Sequence, residues 1–322
     1  MLVTAPTDPI DAFAIGRTSD GDEWTMNQAL GTSLTDHRGL IEMPALTVLF
    51  DDLGGLRFYL AEPSVSSLQA RLTMSMLERP AVDEYLTATA DLRMSSHTYG
   101  TTSVDIVGDG DRLLCTGLAR NVRVGRVTDA RPGLHLSVPE SPNAHPAVTA
   151  PPVDLTGREI VSAIRDGAPI GPLARLLGGS ITAVDDTALT FTAETAPWMG
   201  NVMGTMHGGV IGAIVAQGCS LGAQSFTGPG QRYQMVDFTV AFLRSPRRRR
   251  TRRPRPSDPG EAGPSAVGVR RRPTRRRRDP ARTRHRRCAL RRVSSCSTAD
   301  PLAELQRADP VPRLELVAER RQ

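Results

Sequence analysis

Two stretches of this 322-residue chain lie over one another. GLIEMPALTVLFDDLGG (Gly39 to Gly55) matches GTMHGGVIGAIVAQGCS (Gly204 to Ser220) at a spacing of 165 residues, with Leu46 over Ile211, Leu49 over Ile214 and Phe50 over Val215. Downstream, LTMSMLERP (Leu72 to Pro80) lies over FTVAFLRSP (Phe238 to Pro246) at a spacing of 166, a difference that one extra loop residue accounts for. Two matches in the same order at nearly one spacing indicate duplication. A duplicated chain folds as two similar units, so what one copy lacks is sought in the other.

Each copy reads as one helix followed by strands. Val210, Ile211, Ile214 and Val215 recur at helical spacing. Gly212, Ala213, Ala216, Gly218 and Gly222 keep that helix thin, which suits close packing despite the helical cost of glycine. Pro44 suits the first turn of the matching helix. The runs EYLTATADLRM, HTYGTTSVDIV and DRLLCTGLARNVRV read as antiparallel strands, with GDGD (Gly108 to Asp111) as the hairpin turn between the last two. The expected class is α+β, one helix wrapped by an antiparallel sheet in each half. The boundaries read as an N-terminal segment over 1–22, a first unit over 23–128, a proline-rich linker over 129–156, a second unit over 157–246, and a tail over 247–322.

The tail departs from the rest in charge. Residues 1–246 carry 16 arginines against 26 acidic residues, a net −10, whereas residues 247–322 carry 24 against 8, a net +16. The high overall pI therefore describes the tail alone, and nucleic acid is not expected as a partner. By analogy with the first copy, three strands should follow Pro246, and none is legible there. The chain has forty arginines and no lysine, as GC-rich coding produces, and a shifted reading frame in such DNA yields Arg, Pro, Ala and Gly. The tail accordingly reads as disordered or frameshifted, and the second unit as truncated. A disordered basic arm for nucleic acid is the alternative. No apolar run is long enough to span a bilayer, and the N-terminus lacks a basic region ahead of an apolar core. Cys115, Cys219, Cys288 and Cys296 have neither metal-site nor disulfide-framework spacing, so no metal is expected and a cytoplasmic location is. Cys219 reads as a packing residue, and His37, His97, His135, His145 and His285 as loop or surface residues.

N-x-x-G-T-x-H-G-G (Asn201 to Gly209), followed by a small-residue apolar helix and then VDFTVAFLRSP, resembles the PaaI-type hotdog-fold acyl-CoA thioesterases. The resemblance covers roughly residues 23–128 and 160–246, at the level of motif in the second copy and of pattern in the first. It implies a sheet wrapped around a central helix, paired hotdogs that share active sites, and here a tandem (double) hotdog in one chain. It also implies an acyl-CoA substrate, no cofactor, and assembly of double hotdogs into a homo-oligomer.

Thioester hydrolysis needs a donor for the developing oxyanion and a carboxylate to attack or to activate water. A helix beginning near Gly208 offers free N–H groups, and Gly208 and Gly209 leave room for a substrate. By resemblance, Gly208 supplies the oxyanion donor and Asn201 positions water or substrate; His207 is read as orienting the turn or contacting the carbonyl region, and Gly209 as contacting substrate. The family's carboxylate falls nine residues after the histidine, which here is Ala216, followed by Gln217. The repeat aligns Ala216 with Asp51, and aligns His207-Gly208-Gly209 with Glu42-Met43-Pro44 and Asn201 with Asp36. The losses are complementary. Asp51, Gly208, Asn201 and His207 are predicted to form one composite site, with Asp51 as general base or nucleophile, while the opposite corner is dead. Asp52 is the alternative acid, and Ser66, Ser67 or Gln69 is expected to assist. A non-catalytic acyl-thioester-binding protein is the alternative reading of the same fold.

Overall fold

The computed structural model describes residues 6–20, 23–124, 139, 146–185, 188–243, 266–271, 294–298 and 314–319. Most of the expected linker and tail, with His135, His145 and His285, lies outside these described residues. The first half runs α1 (Pro9–Ala12), β1 (Ile15–Asp20), β2 (Glu23–Ala29), α2 (Thr47–Leu60), β3 (Ser67–Met76), β4 (Tyr85–Ser95), β5 (Tyr99–Val107) and β6 (Leu113–Arg123). The second half runs α3 (Gly157–Arg165), α4 (Pro172–Leu176), β7 (Gly179–Val184), β8 (Leu189–Ala193), α5 (Gly208–Gln224) and β9 (Met235–Ala241). Three short strands follow: β10 (Ala266–Arg271), β11 (Ser294–Thr298) and β12 (Leu314–Glu319).

An antiparallel sheet in the order β1-β2-β4-β5-β6-β3-β9-β11 forms the body, with β7–β8 and β10–β12 as separate two-stranded sheets. Helix α2 lies against it and buries Val48, Leu49, Phe50, Leu53, Leu56 and Phe58. The facing strands contribute Leu72, Met74, Leu86, Val104, Ile106 and Leu114 to the same core. Each such side chain contributes roughly 1.5–3 kcal/mol by leaving water. GDGD does turn the chain between β5 and β6, with Gly110 and Asp111 in the left-handed region at φ 66° and 57°.

The order of elements recurs. The 3-10 turn Thr32–Leu34 returns as Pro197–Met199, 165 residues on, and the β1–β2 hairpin returns as β7–β8. The strands expected to match, β3 and β9, pair with one another, Leu72 opposite Val240, Thr73 opposite Thr239 and Met74 opposite Phe238. Thr73 and Thr239 are 166 residues apart, so the pairing spreads evenly from a residue and its own counterpart. The helices meet in the same way. Thr47 Oγ1 lies 3.0 Å from the carbonyl oxygens of both Pro44 and Gly209, which are themselves counterparts. A Cβ on Gly212, the counterpart of Thr47, would stand 3.5 Å from Thr47 Cβ.

Three expectations need correction. The body sheet begins before residue 23, because β1 pairs with β2 from Ile15↔Gln28 to Asp20↔Glu23. Strands do follow Pro246: β11 pairs with β9, and β10 pairs with β12. Short apolar runs, AVGV and LELV, persist inside an arginine-rich composition that hides them. His37 is not a surface residue. It is buried, and its Nε2 lies 2.9 Å from Gln224 Oε1. His97 is exposed and Cys219 buried, as expected.

The thinness of α5 has a measurable consequence. A Cβ on Gly209 would stand 2.6 Å from Val48 Cα, whereas one on Gly222 would meet nothing within 4 Å. Gly209→Ala is expected to destabilise the protein by roughly 1–3 kcal/mol through overpacking. Gly222→Ala is expected to stabilise it by about 0.5–1 kcal/mol through helix propensity. Urea denaturation of the two variants checks both signs.

Candidate active site

The start of α5 is built by a tight turn. Asn201 Oδ1 accepts from the N–H of Met203 (3.0 Å) and of Thr205 (3.1 Å), and Nδ2 donates to Thr205 Oγ1 (2.9 Å). Asn201 N–H bonds Thr205 O at 2.7 Å, Gly204 N–H bonds Asn201 O at 3.0 Å, and Gly204 takes φ 73°. The first half makes the same turn at Asp36. Its Oδ1 accepts from the N–H of Arg38 (2.8 Å) and of Leu40 (3.1 Å), and Gly39 takes φ 77°. Asn201 therefore holds the chain that delivers His207. Its partners among the described residues all lie within its own turn. The shared [Asp/Asn]-x-x-Gly pattern was the available signal, since both residue types bond the backbone two residues on.

His207 caps α5, and Ile211 N–H bonds its carbonyl at 3.1 Å. Asp51 meets this end of α5 from α2. Gly209 N–H donates to Asp51 Oδ2 at 2.6 Å, and His207 Nδ1 lies 3.3 Å from the same oxygen. A Cβ on Gly208 would stand 2.9 Å from both carboxylate oxygens, so only glycine brings this backbone to the acid. The structure thus brings Asp51, His207, Gly208 and Gly209 together from the two halves. The Gly209 N–H is engaged by Asp51, and its missing side chain makes room for α2. Gly208 N–H has no hydrogen-bond partner among the described residues, and Asp51 Oδ1 is buried without one. An acceptor-hungry N–H at a helix start and an unengaged carboxylate oxygen stand side by side.

The two adjacent carboxylates are shifted in opposite directions. Burial pushes Asp51 up to about 6, only partly offset by His207 and by the Gly209 N–H. Asp52 is held down at about 2, where contacts with His207 and Arg17 outweigh its own desolvation. His207 is raised, because Asp52 and Asp51 favour the imidazolium more than burial disfavours it. Asp52 pairs with Arg17 Nη2 at 2.6 Å and lies 3.6 Å from His207 Nε2. Among the expected helpers, Gln69 donates to the backbone carbonyl of Asp51, fixing its helix turn and leaving its carboxylate alone. No described bond links Ser67 to the Asp51 carboxylate.

The opposite corner is closed. Glu42, the counterpart of His207, is buried and bonded to Arg38 (2.8 Å) and Arg79, and it accepts from Met235 N–H at 3.3 Å. Arg38 also bonds Asp36 Oδ2 (2.8 Å) and stacks 3.8 Å over the Tyr233 ring. Met43, Pro44 and Ala216 are fully buried, and Pro44 has no N–H to donate. Gln217, the counterpart of Asp52, is fully buried with neither amide atom hydrogen-bonded.

No protein-family model matches the chain. No curated protein matches it either. Among solved structures, the chain is similar to the E. coli PaaI protein from the phenylacetic acid degradation operon, at 17% identity over 36% of this chain and 83% of that one, with a TM-score of 0.33. It is similar to a hypothetical thioesterase from Streptococcus pneumoniae with coenzyme A, at 17% identity over 35% and 87%, TM-score 0.32. It is also similar to a thioesterase from Haemophilus influenzae, at 14% identity over 36% and 82%, TM-score 0.34. Among the described residues no helix is long and apolar enough to cross a membrane.

Two stability predictions follow from the buried polar groups. Ionising Asp51 opposes folding once pH rises above its unfolded value of 3.8, and fully so above about 6. Asp51→Asn is therefore expected to raise stability at pH 8 by on the order of 1–3 kcal/mol and to change it little at pH 4. Gln217→Met removes two unsatisfied buried groups and is expected to stabilise by about 1–3 kcal/mol at any pH. Thermal melts at pH 4 and pH 8 separate the two effects.

Proposed function

We propose that the chain is a tandem hotdog thioester hydrolase with one working site, made by Asp51 of the first half and the start of α5 in the second, and that its substrates are acyl-CoA thioesters. The observation that carries this reading is the pairing of a desolvated carboxylate, its Oδ1 unengaged, with the unengaged Gly208 N–H. The recurrence of the turn, of the helix start and of the strand pairing at one spacing supports the tandem arrangement.

In this reading the thioester carbonyl oxygen lies against the Gly208 N–H, where the unpaired donors and partial positive charge of the helix start stabilise negative charge. Asp51 Oδ1 takes a proton from water as the water oxygen bonds to the carbonyl carbon. The tetrahedral oxyanion collapses, the C–S bond breaks, and the departing thiolate takes the proton back from Asp51. The products are a carboxylic acid and a free thiol, and the enzyme is returned unchanged. A carboxyl group at about 6 suits the work, being ionised at neutral pH yet more basic than an ordinary aspartate. Asp52, held near 2, is too weak a base, which favours Asp51 of the two.

Release of free thiol from a panel of acyl-CoAs tests the proposal. Asp51→Asn is expected to lower kcat by about 10²–10⁴-fold or more. In the unaltered enzyme, kcat/KM is expected to fall as pH drops through about 6, because protonated Asp51 cannot accept a proton. Ala216→Asp is expected to restore nothing, since the facing Met43-Pro44 segment offers no glycine turn. Hydrolysis that survives Asp51→Asn would sink the assignment. Single turnover in ¹⁸O-water detects a nucleophilic route in which water opens an anhydride at the Asp51 carbonyl, since that route leaves ¹⁸O in the protein.

A further inference from the structure

The imidazole of His207 stands between two carboxylates that are neighbours in sequence. Nδ1 faces Asp51 Oδ2 at 3.3 Å, and Nε2 faces Asp52 Oδ1 at 3.6 Å, an ion-pair rather than a hydrogen-bond distance. Asp52 is anchored in turn by Arg17 Nη2 at 2.6 Å, from β1 on the far side of α2 in sequence. The side chains of Arg17, Asp52 and His207 are 15%, 20% and 13% exposed, so the row is shielded and its charges are weakly screened. The charged groups facing the ring are Asp51 and Asp52 from α2 and Arg17 from β1. On its own helix the ring meets the Gly209 N–H, 3.2 Å from Nδ1.

This arrangement fixes where the ring carries its proton. A neutral imidazole that accepts from Gly209 at Nδ1 bears its hydrogen on Nε2, toward Asp52. A protonated ring donates from Nδ1 to Asp51 Oδ2 instead. In both states the ring and the Gly209 N–H crowd Oδ2, and Oδ1 is the carboxylate oxygen that stays unengaged. We infer that Arg17 and Asp52 are positioning residues for the reaction at Asp51: Asp52, pinned by Arg17, holds His207 so that Oδ2 is occupied and Oδ1 is presented to the reactant. This rests on the reading of Asp51 as the reacting acid. The role assigned to Asp52 is that of a fixed anion, acting through His207, and Arg17 keeps it ionised and in place.

The test uses the full-length protein and two readouts. The first is the ring titration of His207 by NMR, its resonance assigned by loss in His207→Gln. The unaltered protein is expected to titrate above the ordinary histidine value. Asp52→Asn is expected to lower that midpoint by about one pH unit or more, because an opposite charge is removed. Asp52→Glu, which keeps the charge, is expected to retain most of the elevation even if folding of the amide variant is impaired. The second readout is kinetic. Asp52→Asn is expected to lower kcat about tenfold or more with KM within about twofold. In a His207→Gln background the same substitution is expected to cost nothing further, since its effect passes through the ring. A His207 midpoint unmoved by Asp52→Asn overturns the inference, and so does a kcat loss that persists in the His207→Gln background. A chain that hydrolyses no acyl-CoA defeats the thioesterase reading by itself, while the NMR arm still decides whether Asp52 holds the ring.

Discussion

One hydrogen bond ties the halves of this protein together where it matters: the Gly209 N–H of α5 to Asp51 Oδ2 of α2, 2.6 Å long and sealed from water. It can form only if two helix backbones approach until a single methyl group would collide, as the 2.6 Å clearance over Val48 Cα shows. That approach demands the small residues of α5, and the poor helix propensity of its glycines is offset by burial of nearly the whole helix. The pairing of β3 with β9 holds the same register from the sheet side. Buried charge then follows from packing. A carboxylate delivered to this contact loses its water and becomes a better base.

The two corners where the halves meet are built in opposite ways. One keeps a carboxylate that is partly unsatisfied, beside an unpaired helix N–H and a ring whose charge depends on pH. The other replaces the histidine by Glu42 and surrounds it with Arg38, Arg79 and the Met235 N–H, so that its charge is matched. Removing one partner of such a buried network leaves an uncompensated charge, which is strongly destabilising. The first corner leaves a buried carboxylate oxygen without a partner, and the second forms a charge-matched joint between the halves. Gln217 is the exception at the second corner: its amide is buried, and neither atom has a hydrogen-bond partner among the described residues.

Much of the candidate site was legible in the sequence because two similar stretches lie at a nearly fixed spacing. Alignment at 165 residues placed Asp51 against Ala216 and so against the glycine turn, and the structure brings Asp51 to Gly208 and Gly209. The same alignment set Asn201 over Asp36, and the [Asp/Asn]-x-x-Gly pattern they share marks the turn that each side chain closes. Arg17 was invisible for a different reason. It lies 35 residues from Asp52, and only the wrapping of β1 beside α2 makes them a pair.

The chain by itself determined the two similar stretches 165 residues apart, the α+β class, the thin helix and the separation of Asp51 from the glycine turn, because these are matters of order, spacing and residue size. Which oxygen of Asp51 is engaged, that Asp52 is held as an anion, and that His37 is buried against Gln224 were decided only by tertiary structure. These depend on distances of about 3 Å between residues far apart in sequence and on how much water is excluded around them, and neither quantity is encoded in spacing along the chain.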